Sequence, residues 1–517
     1  MKELESWFAA LSKVGAIPKG GYYRGSYTPE EVEIQRLLSG WMEKSGLSVK
    51  RDAAGNLWGK AEGESERALP IVTGSHIDSV RGGGNYDGIL GVLGGLAAVK
   101  SLLETYGRPR IPMEVVAFTG EEGSRFSIGL MGSHAVAGSL DQAALSEKRD
   151  AKGISIADAM ASVGLDAGCI GQAVRKKLGA YLELHIEQGP VLEQTGLSVG
   201  IVDSIVGTQQ FRVAFHGEAG HAGTVPMANR KAPMVCAARA IARFPDIARG
   251  SGDGVIAAGR IWAHPDAENV IPGQVCFTVD LRHPIESVKQ EMAAAVKAVC
   301  EEESCFGREG ITWTPFPNNL VTGMDPALSG LLENTCKRLG YPCRRMSSGA
   351  GHDTMDMAKP GKVGMMFIPC KGGRSHCPEE SASMEDISKG VEVLKAGLYK
   401  LAYEDVLHLD EPWKKKGISA RIWKIAVSES NRAEMPSVAK GIVAAQLYRQ
   451  QSVKRLSLCP RHRKPKQARN CGRFIDQVGL FHKRALPDAG TFQREKGGLT
   501  AGGVVSVVGP IGKARVR

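Results

Sequence analysis

The sequence predicts an α/β protein in which a mixed central sheet is flanked by helices. Short apolar runs alternate with segments of helical spacing, and several of these runs end in small residues followed by a polar turn. From about residue 207 the pattern changes to strands in which apolar and polar residues alternate. After residue 321 the first pattern returns, so we expect one domain that is interrupted by a second.

Residues 1–206 are predicted to form the first part of the interrupted domain. Thr28, Pro29 and Glu30 are a typical helix start, because a capping hydroxyl, an N1 proline and a first-turn acid follow one another. In order, the predicted elements are helices at 5–15 and 29–45, strands at 48–52, 56–60 and 69–73, a helix at 89–103, a strand at 113–119, surface helices within 141–170, and a strand at 178–185.

Residues 207–321 are predicted to form an inserted ferredoxin-like α+β domain. Phe211, Val213 and Phe215 alternate with polar residues, as in a half-buried strand. The elements predicted after them are a helix at 232–244, strands at 254–261 and 274–282, a helix at 285–303 and a strand at 311–316. The order strand, helix, strand, strand, helix, strand is that of ferredoxin-like domains.

Residues 322–405 are predicted to complete the first domain, and residues 406–517 to form a tail. The completing elements are a helix at 326–339, a glycine-rich turn at 345–353, a strand at 363–368 and a helix at 384–403. Residues 411–517 hold 23 of the 66 Lys and Arg residues but only 6 of the 55 Asp and Glu residues, so the net charge of +11 arises from the tail. Such composition predicts a disordered extension, and a nucleic-acid-binding arm is the alternative.

The composition favours a reducing, aqueous compartment. The 11 cysteines are scattered and show neither a disulfide framework nor a CxxC spacing. The N-terminus has no basic flank followed by an apolar core, so we expect no secretory signal. No apolar run approaches the ~18 residues that would span a membrane. We therefore expect a cytoplasmic protein without a membrane partner.

The candidate site residues lie where the predicted core strands end. They are His76, Asp78 and Asp87 after the strand at 69–73, Glu121 and Glu122 after the strand at 113–119, His185 at the end of the strand at 178–185, and His376 on the loop after the strand at 363–368. Open α/β sheets bind ligands at the carboxyl ends of their strands. A core histidine or a solvated acidic turn would explain any one of these residues, but their recurrence at four strand ends favours a shared site.

Histidine and carboxylate ligands together suit zinc or manganese, and the number of groups suits two ions. Asp87 is predicted to bridge the ions. His76 and His185 are predicted to complete the ligands of one ion, and Glu122 and His376 those of the other.

Two further acids are predicted to assist this centre. Asp78 lies two residues beyond His76 and is placed to orient its imidazole. Adjacent carboxylates point in different directions, so Glu121 can remain free as a general base while Glu122 binds metal. In this role Glu121 takes a proton from water and passes it to the leaving nitrogen.

Eight ordered motifs resemble those of the hydantoinase/carbamoylase branch of the dinuclear-zinc peptidase and amidase superfamily. They are GSHIDSVRGGGNYDG, TGEEGSRF, ELHIEQGPVLE, GHAGTVPM, NVIPG, DLRH, SGAGHD and SHCPEE, and the resemblance extends to about residue 403. The branch includes N-carbamoyl-L-amino acid hydrolases, β-ureidopropionase of the yeast type and allantoate amidohydrolases. The resemblance implies the ligands assigned above, with two divalent ions per subunit (Zn²⁺, or Mn²⁺, Co²⁺ or Ni²⁺). It also implies a homodimer joined through the inserted domain, which closes as a lid.

The resemblance further implies the residues that handle the substrate. The histidine that matches His221 reaches an active site and polarises the scissile carbonyl. Asn269 and Arg282 match residues that hold the substrate carboxylate, and a guanidinium suits that task because it binds carboxylates bidentately. The further candidates for substrate binding are Gln188, Gln210 and His352.

The expected reaction is hydrolysis of a linear ureido group on a small carboxylic acid, which yields an amine, ammonia and carbon dioxide. GGNYDG, EVVAFTGEEGSRF and GLMGSHAVAGSL favour an N-carbamoyl-L-amino acid as substrate, whereas SGAGHD and the length after it are as similar to allantoate amidohydrolase. A peptidase or N-acyl deacylase fits less well, because HIEQGP and NVIPG fit the ureido branch. The expected partners are this small molecule and a second copy of the chain, not a nucleic acid.

Overall fold

The computed structural model describes residues 1–65 and 67–404. The predicted disordered tail, 406–517, lies outside the described residues. The described helices are α1 (Lys2–Leu11), α2 (Pro29–Lys44), α3 (Ile89–Tyr106), α4 (Met131–Ala137), α5 (Gln142–Glu147), α6 (Ile156–Ser162), α7 (Val191–Thr195), α8 (Pro233–Gly250), α9 (Glu286–Glu303), α10 (Pro326–Leu339), α11 (Thr354–Met357) and α12 (Met384–Ala402).

The described strands fall into a central sheet, a second sheet and a short hairpin-like pair. They are β1 (Ser48–Arg51), β2 (Leu57–Ala61), β3 (Ile71–His76), β4 (Met113–Phe118), β5 (Ala180–Ile186), β6 (Val199–Ile205), β7 (Gly207–His216), β8 (Gly220–His221), β9 (Val255–His264), β10 (Val270–Ile271), β11 (Gln274–His283), β12 (Ile311–Pro315), β13 (Thr322–Gly323), β14 (Cys343–Ser348) and β15 (Lys362–Ile368).

Nine of the described strands form the central sheet, in the order β1-β2-β4-β3-β5-β15-β6-β13, with β14 also paired to β6. The four neighbours β4, β3, β5 and β15 run parallel, whereas β1, β2 and β13 pair antiparallel with their neighbours. The predicted mixed sheet flanked by helices is therefore confirmed. Because the four central strands are parallel, their carboxyl ends meet at one edge of the sheet.

The central strands are apolar along their whole length because both faces of the sheet are covered. Every residue of β3, β4 and β5 is buried. Helices α3 and α12 pack on one face, and Gly91 of α3 lies so close to the sheet that a Cβ there would be 2.6 Å from the Leu184 carbonyl oxygen. This approach brings the start of α3, and with it Asp87, against the end of β3.

Helix α3 corrects one expectation from the sequence. By length and composition alone its 18 residues could cross a membrane, although 61% of them are buried inside the structure. From the sequence, no apolar run of about this length is expected. The helix is apolar because it covers the central sheet.

Two further differences concern the far side of the central sheet. Strand β6 is not among the predicted elements, and β14 occupies the first part of the segment predicted as a glycine-rich turn, 345–353. Residues of β14 are mostly half-buried or exposed. A strand near the sheet edge needs no apolar run, because its backbone hydrogen bonds with β6 hold it in place.

The start of α2 follows the local signals in the sequence. The Thr28 side chain caps the helix by accepting a hydrogen bond from the Glu31 backbone N–H, and the Glu31 carboxylate accepts one from the N–H of Tyr27, the residue before the cap. Glu31 is fully buried and also bonds the Thr119 hydroxyl. Burial raises the pKa of Glu31 to about 7, although the hydrogen bonds from Thr119 and Tyr27 oppose this.

Four of the described strands form a second sheet, in the order β12-β7-β11-β9, with every pair antiparallel. Helices α8 and α9 lie on this sheet over a separate apolar cluster that includes Phe215, Phe244 and Phe277. Along the chain the elements follow the order β7, α8, β9, β11, α9, β12, with the short β8–β10 pair and two 3-10 turns between them. We call residues 207–315 the four-stranded segment.

Candidate functional site

The ends of the four parallel strands bring the predicted site residues together. His76 is the last residue of β3, and His185 is the penultimate residue of β5. Glu121 and Glu122 follow the end of β4, and His376 lies on the loop after β15. Since these strands are adjacent and parallel, their following loops meet above one edge of the sheet.

Asp87 lies at the centre of this group. Its Oδ1 atom is 3.0 Å from His185 Nε2 and 3.4 Å from His76 Nε2. Its Oδ2 atom is 3.2 Å from His376 Nε2, which is in turn 3.3 Å from Glu122 Oε2. One carboxylate therefore belongs to two groups of ligand atoms, one on each of its oxygens.

The spacing of these atoms fits metal coordination. His76, Asp87 and His185 offer ligand atoms that all lie within 4.8 Å of one another, and so do Asp87, Glu122 and His376. Two ligand atoms bound tetrahedrally to zinc at 2.0–2.1 Å are about 3.4 Å apart. The imidazole–carboxylate donor set suits the same ions. The residues present can therefore hold two cations that share Asp87.

The backbone selects which nitrogen of each buried histidine faces Asp87. His185 Nδ1 lies 2.8 Å from the Ile186 carbonyl oxygen, and His76 Nδ1 lies 3.2 Å from the Asp78 carbonyl oxygen. A ring N–H donated to a carbonyl places the proton on Nδ1 and leaves the Nε2 lone pair free. Both Nε2 atoms thus face Asp87 as possible ligands, and a cation on His185 Nε2 would replace the hydrogen bond that this atom accepts from the Gly88 N–H at 3.2 Å.

The electrostatics show a negative site that attracts positive charge. Burial alone would raise the pKa of Asp87, but His185, His376 and His76 hold it well below its usual range. The hydrogen bond to Asp87 raises the pKa of His376 to about 9, against the effect of burial. Burial and then Asp87 raise the pKa of Glu122 to about 7. A pair of cations would take the place of these protons.

A third group of possible ligands, Glu183, His185 and His352, lies beneath the first two. Its members already have other partners. Glu183 accepts hydrogen bonds from Ser75, Tyr181 and Thr354, and His185 uses Nε2 towards Asp87 and Nδ1 towards a carbonyl oxygen. Because these polar atoms already have partners, we interpret the third group as residues that hold His185 in position and not as a third metal site.

Asp78 contacts more than the imidazole that it was predicted to orient. Its Oδ1 is 3.6 Å from His76 Nδ1, but Oδ1 and Oδ2 also accept hydrogen bonds from the backbone N–H groups of Glu121 and Glu122, at 2.9 and 3.1 Å. Asp78 therefore fixes the turn that carries both glutamates. Glu121 Oε2 then lies 3.8 Å from His76 Nε2, with 12% of the side chain exposed.

A cavity of about 240 Å³ opens onto these ligands. Its lining residues are His76, Asp87, Glu121, Glu122, Gln188, Arg282, Ala350, Gly351, His352 and His376. Gln188 donates to Asp87 Oδ2 at 2.8 Å, and His352 Nε2 is 2.9 Å from the Ser348 hydroxyl. The structure thus places three of the predicted substrate residues, Gln188, Arg282 and His352, beside the ligands.

Arg282 reaches the cavity from the four-stranded segment. Its Nε and Nη2 atoms donate to the two oxygens of Asp280, both at 2.9 Å, and Nη1 donates to the Gly349 carbonyl oxygen at 2.8 Å. Gln210 also donates to Asp280, at 2.6 Å, and is not among the cavity-lining residues. Asp280 was missed from the sequence, although its place two residues before Arg282 on one strand puts both on the same face.

His221 and Asn269, like Gln210, are predicted site residues that do not line the cavity. Both are exposed. They lie side by side, because the Ala222 N–H donates to the Asn269 carbonyl oxygen at 2.9 Å and β8 pairs with β10. The His221 Nδ1 atom accepts a hydrogen bond from the Gly223 N–H. In one copy of the chain these two side chains contact neither the ligands nor Arg282.

Comparison with known proteins identifies the family. Residues 70–400 match the sequence profile of Peptidase family M20/M25/M40. The chain belongs to this family. An N-carbamoyl-L-amino acid amidohydrolase of Geobacillus stearothermophilus is 41% identical over 394 residues, which are 76% of this chain and 96% of that protein. An allantoate amidohydrolase of Bacillus subtilis (strain 168) is 37% identical over 406 residues, with the same two coverages, 76% and 96%.

Solved structures agree with the assignment of this chain to the M20 family. An amidase of the hydantoinase/carbamoylase family from Burkholderia multivorans superposes with a TM-score of 0.72 and 34% sequence identity, over 78% of this chain and 97% of that chain. The resemblance drawn from the eight motifs is confirmed. The matched region contains all of the predicted ligands.

Proposed function

We propose that this protein is a metal-dependent hydrolase that cleaves the linear ureido C–N bond of an N-carbamoyl-L-amino acid. The observation that carries the proposal is the shared Asp87 carboxylate, with a ligand group on each oxygen and Glu121 beside them in one cavity. The relatives named above support the same chemistry, since both are called amidohydrolases of ureido acids.

Two divalent ions, Zn²⁺ or Mn²⁺, are the cofactors that the donor set fits. His76, His185 and Asp87 would hold one ion, and Asp87, Glu122 and His376 would hold the other. When bound, such a pair lowers the pKa of water and polarises a carbonyl oxygen.

Glu121 is the general base in this proposal. It is the acid in the cavity that belongs to neither ligand group, and Asp78 holds its backbone in place. Burial raises the pKa of Glu121 well above the usual range, and Glu122 and Asp353 add to this against the effect of His76. A raised pKa suits the acid that returns the proton to the leaving nitrogen, and cations on the neighbouring ligands would lower this pKa so that Glu121 can first take the proton from water. One water and one ureido group then give the amino acid, ammonia and carbon dioxide.

Arg282 binds the substrate carboxylate in this proposal. Its side chain lines the cavity, and Asp280 fixes the direction of the guanidinium by two hydrogen bonds. A substrate carboxylate would replace the Gly349 carbonyl oxygen as the partner of Nη1. Binding there orients the ureido group towards Glu121 and excludes water.

The four-stranded segment acts as a lid and a dimerisation domain in this proposal. Strand β9 is an edge strand of ten residues that exposes Val255, Ile261 and Trp262, and such an edge favours pairing with another chain. A second copy would bring His221 and Asn269 to the cavity that they do not reach in their own chain. His221 would then polarise the scissile carbonyl.

Allantoate is the second candidate substrate. Within the described part of the chain, no apolar side chain larger than Ala350 lines the cavity, which favours a ureido acid with a polar side chain. Ammonia release from N-carbamoyl-L-methionine and from allantoate, measured with added Mn²⁺ or Zn²⁺, separates the two. Release from neither substrate would refute the proposal, and hydrolysis of a dipeptide alone would favour a peptidase.

A further inference from the structure

A buried carboxylate outside the ligand groups connects the two loops that carry Asp87 and His376. Glu380 is 5% exposed and does not line the cavity. Its Oε1 atom accepts hydrogen bonds from the backbone N–H groups of Tyr86 at 2.9 Å and Asp87 at 3.0 Å. Glu380 thus holds the backbone of the shared ligand from a loop 293 residues away in sequence.

The other oxygen of Glu380 competes with Asp87 for one proton. Ser375 Oγ lies 2.8 Å from Glu380 Oε2 and 3.0 Å from Asp87 Oδ2. A hydroxyl has one proton to donate. Asp87 Oδ2 already accepts a hydrogen bond from Gln188 at 2.8 Å. When Ser375 donates to Glu380, Asp87 Oδ2 keeps its remaining lone pair for the group that contains Glu122 and His376.

The glycine loop is shaped around this side chain. A Cβ atom on Gly84 would lie 2.2 Å from Glu380 Oε1 and 2.4 Å from its Cβ, so glycine is needed there for the carboxylate to enter. Asn85, the next residue, accepts a hydrogen bond from the fully buried guanidinium of Arg24 at 2.5 Å. The Asp87 loop is therefore fixed on one side by Arg24 and on the other by Glu380.

We propose that Glu380 is a positioning residue that directs the Ser375 proton away from Asp87 Oδ2, so that this oxygen, which already accepts a hydrogen bond from Gln188, keeps a lone pair for a cation. This inference rests on the proposed function, because it requires the two-ion centre. It concerns the Oδ2 side of Asp87, where Ser375 lies, and leaves the His76 and His185 side intact.

Glu380→Gln tests the proposal in the full chain. The amide oxygen can still accept from Tyr86 and Asp87, but the amide nitrogen cannot accept from Ser375, which then donates to Asp87. We expect titration calorimetry of the metal-free protein with Zn²⁺ to show one ion bound as in the wild type. The other should bind about tenfold or more weakly. The thermal midpoint of the metal-free protein should remain near that of the wild type.

Two further variants separate this role from a general structural one. Adding Ser375→Ala to Glu380→Gln removes the competing hydroxyl, so the weakened ion should recover to within about threefold of the Ser375→Ala variant. Glu379→Gln is the matched control, because Glu379 is the preceding residue, is exposed and pairs with Arg374. It should leave both ions unchanged.

The outcomes distinguish this inference from the proposed function. Glu380→Gln protein that binds both ions like the wild type, or a loss that Ser375→Ala does not restore, overturns the inference alone. If Glu380→Gln fails to fold, Ser375→Ala alone decides, since the inference requires it to bind both ions at least as tightly as the wild type. Wild-type protein that binds no divalent ion overturns both.

Discussion

The central sheet and the four-stranded segment present their site residues in different ways. His76, His185 and Asp87 of the central domain are 2%, 0% and 7% exposed and are already within hydrogen-bonding or coordination distance of one another. His221 and Asn269 of the four-stranded segment are exposed and belong to no ligand group. Parallel strands force their following residues together, whereas the separate sheet brings Arg282 to the cavity but not His221 or Asn269.

Beside the central sheet, two of the five described non-glycine residues with positive φ contact Asp87. Gln188 and His376 both have φ near +58°, a conformation that is uncommon for residues other than glycine. Their side chains are 3.4 Å apart, and each also contacts Asp87. Strain of this kind persists when its surroundings hold it, and it occurs at functional sites. The buried ligands are thus already in place before a cation binds, and the contacts with Asp87 hold Gln188 and His376 at the more exposed rim.

The largest expected effect on turnover comes from Glu121, which lies among the buried ligands beside the central sheet. Glu121→Gln should reduce kcat about a thousandfold or more, because the amide cannot carry a proton from water to the leaving nitrogen. Both ions should remain bound, since Glu121 belongs to neither ligand group. Ammonia release and metal content by atomic absorption check these two results. A rate near that of the wild type would exclude Glu121 as the base.

The next largest effect is expected for His221, which is exposed in the four-stranded segment. His221→Ala should lower kcat by roughly a hundredfold, the size expected when one group that stabilises the developing oxyanion is lost. Metal content should not change. Mixing this variant with Glu121→Gln chains should restore part of the activity, because a mixed dimer has one site with both residues intact. No recovery in mixed dimers would mean that His221 acts within its own chain.

Arg282 is the one cavity-lining residue that comes from the four-stranded segment, within the part of the chain that the structure describes. Arg282→Lys should raise KM roughly tenfold with a smaller change in kcat, because an ammonium group cannot bond Asp280 and a carboxylate in the same forked geometry. Asp280→Asn should raise KM less, since it loosens the guanidinium without removing it. Steady-state kinetics with an N-carbamoyl-L-amino acid measure these changes in KM and kcat. An unchanged KM in Arg282→Lys would mean that the substrate carboxylate binds elsewhere.

The smallest expected effect concerns stability and not turnover. The pKa of Glu31 is about 7 in the fold, above its usual value of 4.5, so the folded state binds this proton more tightly than the unfolded state. Its stabilising contribution is therefore complete below pH 4.5 and is lost as the pH rises through about 7. Glu31→Gln should gain up to about 3 kcal/mol in unfolding free energy relative to the wild type between pH 5 and pH 8.

Chemical denaturation at several pH values measures this difference. Glu33→Gln is the control, because Glu33 lies on the same helix, has 43% of its side chain exposed and pairs with Arg36. Its effect should stay small and vary little over the same pH range. Equal pH dependence in the two variants would contradict a proton on buried Glu31.

The sequence by itself determined the chemistry of the central domain. Apolar runs predict strands that are buried on both faces. The polar residues at and after the ends of such strands are expected at one edge of the sheet, so His76, Asp87 and His185 could be predicted as neighbours. The order of elements in the four-stranded segment followed in the same way from alternation and helical spacing. These signals are periodic and local, and burial of each strand or helix face is what creates them.

Only the tertiary structure decided which loops touch. The bonds of Asp78 to the Glu121 and Glu122 backbone, and of Glu380 to the Asp87 backbone, join segments that share no periodic pattern. Strand β14 could not be predicted for the same reason, because its backbone pairing with β6 imposes no regular pattern of apolar side chains. The position of His221 relative to the cavity depends on how sheets and copies of the chain meet, and no local sequence signal encodes that.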